Sequence, residues 1–410
     1  MSEPLVAGKA PAGTERGRSL LLMVLSGNML LDAIEVSVVL VALPAIRADL
    51  GLSLWSVQWL MSGFALGFAA MLMSGPALST RWGLRNVYLA AMVVFATASI
   101  AGGLSDGLTL LIASRVVKGA CAALTAPAGL TLITATWPDG ARQRRALSLY
   151  SLFGAAGFTV GLLLAGVLVA DSWRWTFLLP APVALVLLVC GLRVIPDSLP
   201  QVPSRPTRAI LRNGPLIRAT LGAATLNGTF IGLLLFITLR TSSGFGWQPW
   251  QISLALLPAC VPLALSARFA GRAVERFGAP RLIAIGALSA FAGMALLLPR
   301  PQPDSYAAGP LPALLLVGIA LQLAFAALNM QAAQSVGPAL RGTAMPLYQA
   351  GVQTGSVVVL PLVGALLTAS DANRPALLAI TLVGALGVGV AVVGLRARSR
   401  EDLRGKRTLP

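Results

Sequence analysis

The chain has 410 residues, 56% hydrophobic and only 11% charged, against roughly 25% charged in a soluble domain; with a mean hydropathy of +0.81, water is the wrong solvent for it. The formal net charge of +17 would suit nucleic acid if the basic residues shared one soluble face, but they fall mainly in the termini and in alternate loops, which excludes that reading. Histidine is absent, which removes the usual His-bearing catalytic and metal sites; Cys121, Cys190 and Cys260 lie in apolar stretches where a disulfide framework has no role.

Residues 1–19 are polar and basic and lead straight into a long apolar window, which reads as a cytoplasmic tail and not as a cleavable signal. Windows long enough to cross a ~30 Å core follow near 20–42, 54–77, 84–104, 107–131, 146–170 and 174–196, then near 217–239, 250–270, 281–299, 311–331, 342–368 and 374–395. Arg81/Arg85, Arg142/Arg144/Arg145, Arg205/Arg208/Arg212, Arg272/Arg276/Arg281 and the arginines of 396–407 alternate with loops that hold one cation or none and contain Asp106, Asp171 and Asp371. The positive-inside rule puts the basic side in the cytoplasm. Twelve crossings return the chain to the side on which it began.

The prediction is an all-α integral membrane protein of twelve transmembrane helices, multi-pass with both termini cytoplasmic. Its two six-helix halves, 20–196 and 217–395, are joined by a Pro- and Arg-rich cytoplasmic linker at 197–216 and followed by a basic tail at 396–410. The halves read as repeats: one offset of 195 residues superposes Trp55 on Trp250, Arg81 on Arg276, Trp82 on Phe277 and Gly83 on Gly278. Duplicated halves with a site at their interface near the midplane are the architecture of secondary transporters.

Charge inside the span costs several kcal/mol, so an ionisable residue there is a functional candidate. The first helix carries Asp32 and Glu35 and the fourth Arg115 and Lys118, each pair at i, i+3 on one face. At ~1.5 Å per residue, Glu35 and Arg115 lie roughly 10 and 12 Å deep, and Asp32 and Lys118 roughly 15 and 16 Å deep. Two ion pairs are therefore expected, Glu35 with Arg115 and Asp32 with Lys118. They either lock two helices together or couple protonation to rearrangement. The second half offers neutral polar groups at comparable depth, Asn227, Gln322, Gln349 and Gln353, as interhelical glue or as substrate contacts. Trp59 and Phe64 on the second helix can stack on a drug-like ring or simply pack. Gly154, Gly157, Gly161 and Gly166 crowd the fifth helix and let its neighbours approach.

These residues resemble the major facilitator superfamily over nearly the whole chain, most closely the drug/proton antiporter branch known for fourteen-helix multidrug exporters. Glu35-Val-Ser-Val-Val-Leu-Val-Ala-Leu-Pro44 resembles that branch's acid followed by Val-Ala-Leu-Pro, a register that puts Glu35 in the place of the family's acid. The gating motif Gly-x-Leu-Ala-Asp-Arg-x-Gly-Arg-Arg is matched by Pro76-Ala-Leu-Ser-Thr80-Arg81-Trp-Gly83-Leu-Arg85, with Thr80 where the acid belongs. Its second copy, Gly271 to Gly278, keeps Glu275, Arg276 and Gly278. Arg115-Val-Val-Lys118-Gly119 is similar to the fourth-helix Arg-x-x-Gln-Gly, with lysine replacing glutamine. The antiporter motif Gly-Pro-x-x-Gly-Gly survives only as Gly161-Leu-Leu-Leu-Ala-Gly166, without its proline. Ser172-Trp-Arg-Trp-Thr-Phe177 matches the branch's Trp-Arg-Trp-x-Phe closely. The linker is too short for two further helices.

The resemblance implies a major facilitator fold in a twelve-helix version. It also implies proton-driven efflux of a small amphiphilic drug or natural product by alternating access, with no cofactor, the proton gradient as energy source, and a monomer in a bacterial inner membrane. A proton symporter or facilitator of the same fold, or a non-transporting membrane receptor or assembly subunit, are the rival expectations. No Gly-x4-Gly-Lys-Ser/Thr loop occurs, and Gly103-Leu-Ser105-Asp-Gly107 has the Gly-x-Ser-x-Gly spacing only as a short loop between two apolar windows, in a chain with no histidine to serve it, so an enzyme is not expected.

Overall fold

In the computed structural model the apolar windows become helices. The structure describes residues 15–137, 140–196, 210, 212–262, 276–299, 305–337, 340–369 and 373–407. In the first half α1 spans Glu15–Asp49, α2 Leu54–Leu72, α3 Leu84–Gly103, α4 Leu108–Thr136, α5 Ala141–Asp171 and α6 Trp175–Val194. In the second, α7 spans Gly214–Phe245, α9 Ala279–Leu297, α10 Pro310–Gln334, α11 Arg341–Ala369 and α12 Arg374–Arg407. Between α7 and α9, α8 opens as Pro249–Leu256 and continues through a 3-10 turn, Leu257–Ala259. Eleven of these helices are long and apolar enough to cross a membrane, and no strand occurs, among the described residues. Exposed stripes such as Val160, Leu163 and Val167 on α5 or Leu382, Leu386 and Val393 on α12 present the apolar outer face that lipid requires.

Local chemistry sets the helix starts. Ser53 accepts from the Ser56 amide to cap α2, Asn213 caps α7 through the Leu216 amide, and Gln248 and Gln251 form a capping box on α8. The turn after α2 is itself a short helix, Gly75–Trp82, ended by Gly83 at φ +83°; Gly278 at φ +78° stands in the same place before α9. A side chain with a Cβ resists that backbone conformation, so both copies of the turn need glycine. Trp55 and Trp250 are each the second residue of their helix. The 197–216 linker lies outside the described residues apart from 210 and 212–216.

The halves share one packing plan. In the first, α1 packs on α5 and α3 on α6; in the second, α7 packs on α11 and α9 on α12. Between halves, α2 meets α11 and α5 meets α8. The buried apolar residues divide into three clusters, and the division shows where the halves touch. One cluster joins both halves through Ile34 to Ile46 of α1, Leu162 to Val169 of α5, Phe230 to Leu239 of α7 and Val359 to Leu367 of α11. The other two are confined to single halves and lie at the end that carries Arg81, Arg142 and Arg212, here the basic end: Leu21 to Leu31 with Tyr88 and Leu132 in the first half, Leu216 to Leu226 with Leu328 and Tyr348 in the second. Among the described residues the halves are therefore joined toward the far end, while toward the basic end each keeps a core of its own. Phe158 of α5 packs against Phe230 of α7 across the halves, ring centroids 5.8 Å apart.

Candidate functional site

The site begins with a close helix crossing. A Cβ on Gly67 would collide with the Val116 carbonyl oxygen and one on Gly119 with the Phe64 carbonyl oxygen, so α2 and α4 touch backbone to backbone. That approach carries Arg115 and Lys118 through to α1. Arg115 donates from Nη1 to Glu35 Oε2 at 2.6 Å, from Nη2 to the Glu35 carbonyl at 3.1 Å and from Nε to the Leu60 carbonyl at 2.9 Å. Its guanidinium lies 4.6 Å above the ring of Phe64, which packs under the ion pair. Lys118 Nζ reaches Glu35 Oε1 at 2.7 Å, donates to Ser99 Oγ at 3.1 Å, and lies over the rings of Phe95 and Phe177. Ser99 in turn donates to the Phe177 carbonyl. All three charged side chains are fully buried.

The expected pairing is therefore half right. Glu35 does meet Arg115, but Lys118 also turns to Glu35, and Asp32 is left without a cation within 4 Å among the described residues. Depth along the membrane normal does not distinguish two carboxylates one turn apart; the rotation of α4 about its own axis does. Asp32, only half-buried, takes hydrogen bonds on Oδ2 from Asn28 Nδ2 at 3.2 Å and from Thr125 Oγ1 at 3.5 Å. Its counterpart at the 195-residue offset is Asn227 of α7. Both lie just below the level, Ile34 and Phe230, at which the two halves join, Asp32 against Thr125 of α4 and Asn227 against Ser356 of α11. The second half has no counterpart of the charged cluster: the same offset puts Phe230 in the place of Glu35.

The other polar candidates are distributed unevenly. Asn227 donates to the Val352 carbonyl at 3.1 Å and to Ser356 Oγ at 2.8 Å, tying α7 to α11. Gln349 donates to Asn329 Oδ1 at 3.4 Å. Gln353 is half-buried. Gln322 is buried within a π-helical turn, Leu321–Phe325, which interrupts α10; such turns recur at functional sites, and nothing in the residue pattern announces it. Trp59 is half-buried and stacks edge-on against Trp55 at 5.6 Å. Asn28, Ser99, Phe95, Thr125 and the Leu60 and Phe177 carbonyls, all part of the site, escape a search for charge because each is neutral.

The gating candidates lie at both ends. Thr80 is exposed and donates to its own helix at the Pro76 carbonyl, Arg81 is exposed, and Arg85 donates to the Leu192 carbonyl at 2.8 Å. Arg276 lies over Phe277 as the second copy's counterpart, whereas Glu275 lies outside the described residues. Gly161 packs on Ile34 and Ser37 of α1, and Gly166 on Trp250 and Ser253 of α8, where the halves meet. The Trp-Arg-Trp segment binds the far-end loops: Trp173 Nε1 donates to Asp49 at 2.8 Å and Arg174 pairs with Asp106 at 2.6 Å.

The model of the Major Facilitator Superfamily matches residues 25–359. The chain belongs to the Major Facilitator Superfamily. Membership sets it among transporters and not among enzymes, as a multi-pass membrane protein. Two relatives are named for antibiotics. The cephamycin export protein CmcT of Amycolatopsis lactamdurans is 34% identical over 50% of this chain and 46% of its own length. The puromycin resistance protein pur8 of Streptomyces alboniger is 27% identical over 86% of this chain and 82% of its own. The chain thus spans about half the length of the first and most of the second. In fold it matches the crystal structure of a bacterial homolog to the human lysosomal transporter Spinster, in an inward-facing and occupied conformation, with a TM-score of 0.76 and 17% identity over 94% of this chain and 98% of that one.

Proposed function

We propose that this major facilitator is a secondary active transporter that exports a small amphiphilic antibiotic-like compound in exchange for protons, by alternating access and with the proton gradient as its only energy source. In this reading it works as a monomer in a bacterial cytoplasmic membrane with both termini inside. The observation that carries the reading is that the halves share an apolar seam toward the far end and keep separate cores toward the basic end, an arrangement that leaves room for a cleft there, near the half-buried carboxylate of Asp32. By the positive-inside rule the basic end faces the cytoplasm, so the cleft is poised to load from within. Relatives named for cephamycin export and puromycin resistance support a natural-product cargo.

The test uses everted membrane vesicles from cells that overexpress the chain, with puromycin as the first probe in a panel of amphiphilic antibiotics. An exporter accumulates the compound when an acid-inside gradient is imposed and loses it when the gradient is collapsed. Gradient-driven loss in place of accumulation would mark a symporter; no movement of any compound, with unchanged resistance in cells, would mark a protein that does not transport.

A further inference from the structure

The family register points to Glu35 as the working acid, but its surroundings oppose that role. Two cations grip its two oxygens at 2.6 and 2.7 Å, a second Arg115 nitrogen holds its own carbonyl, and none of the three side chains has any exposure. Without the Glu35 carboxylate between them, two buried cations would have no counter-charge, and each would keep its desolvation penalty. Lysine at 118, where relatives of this pattern carry glutamine, is what makes the clamp double.

Asp32 has the opposite environment. Both of its hydrogen bonds fall on Oδ2, and both come from neutral side chains, Asn28 and Thr125. Oδ1 takes no hydrogen bond among the described residues, and the half-buried side chain lies just below the level at which the halves join. A hydroxyl can rotate to accept where it donated, so the site suits either protonation state. The titratable groups that face Asp32 are Glu35 one turn along α1, Cys121 on α4, Tyr88 on α3 and Tyr150 on α5.

We infer that Asp32 is the proton-binding carboxylate of this transporter, and that Glu35, held by both cations of α4, is a strut that orients that helix. The inference rests on the proton-coupled reading above and sharpens it. Glu35, Arg115 and Lys118 sum to one positive charge, which an ionised Asp32 balances. A proton taken from the cleft by Asp32 leaves that charge uncompensated within the first half, and release of the proton restores the balance. The electrical asymmetry between the two states is what a change in the packing of the halves relieves.

The test has an arm that needs no cargo. Infrared difference spectra of the purified full chain in lipid, taken from alkaline to acid pH, report carboxyl groups as they take up protons. The band lost in Asp32→Asn is expected to be a titrating carboxyl, and Glu35→Gln/Lys118→Gln, which removes one charge of each sign, is expected to keep it. If Asp32→Asn leaves every titrating band in place, or if the double variant is the one that loses a band, the inference is wrong. In proteoliposomes, puromycin movement in Asp32→Asn is expected to lose at least ten-fold of its dependence on an imposed pH gradient. Should the unsubstituted protein move no puromycin under a gradient, the transport reading fails for that compound, and the infrared arm still decides which acid titrates.

Discussion

Replacing Glu35 with Gln removes the only carboxylate that Arg115 and Lys118 share and leaves two cations in a site with no exposure. Breaking a buried pair from one side costs about 3–5 kcal/mol, because the stranded charge keeps its desolvation penalty. The remaining bonds, Arg115 to the Leu60 carbonyl and Lys118 to Ser99, are neutral acceptors and do not replace the lost charge. With an unfolding entropy of about 2.1 cal/mol/K per residue over the whole chain, that loss lowers the melting temperature by about 4–6 °C. Cys121 and Cys260 are buried and Cys190 half-buried, so a thiol-reactive fluorophore that reports their exposure follows unfolding in detergent. Lys118→Gln added to Glu35→Gln removes the excess cation and is expected to recover most of the loss. A single variant that melts within about 1 °C of the parent, or a double variant that melts below the single, would refute the double clamp.

Gln58→Cys with Gly364→Cys brings two Cβ atoms to 3.4 Å across the α2–α11 contact, close to the range of about 3.5–4.5 Å that a disulfide needs. Oxidation with a membrane-permeant catalyst is expected to stop transport by holding the far end closed, and reduction to restore it; transport that survives a complete cross-link counts against alternating access through this seal. Gly119→Ala sets a methyl against the Phe64 carbonyl and is expected to cost about 1–3 kcal/mol of stability, read by the same melting assay. Asn227→Ala removes two bonds from α7 to α11 and is expected to cost about 1 kcal/mol; a loss of substrate affinity with unchanged melting would assign Asn227 to the cargo instead.

Much of this protein is decided by residue type and order. Hydropathy and the alternation of arginine among the loops specify helices in lipid, since uninterrupted apolar runs of ~20 residues, unlike the alternating strands of a barrel, satisfy their backbone within the segment. The offset that pairs Gly83 with Gly278 was legible because both copies of one turn need the same backbone angle, and the structure returns φ +83° and +78°. Glu35 and Arg115 could be matched because depth along a helix is linear in residue number. What depth cannot supply is rotation. Lys118 reaches Glu35 and not Asp32 because the contact of Gly67 and Gly119 fixes how α4 is turned toward α1. The π-turn around Gln322, the use of Asn227 as a tie to α11, and the joining of the halves toward one end are likewise decided by packing between segments distant in the chain. Sequence specifies which side chains are present at each depth; only the assembled helices decide which of them meet, and so which acid is clamped and which is left without a cation.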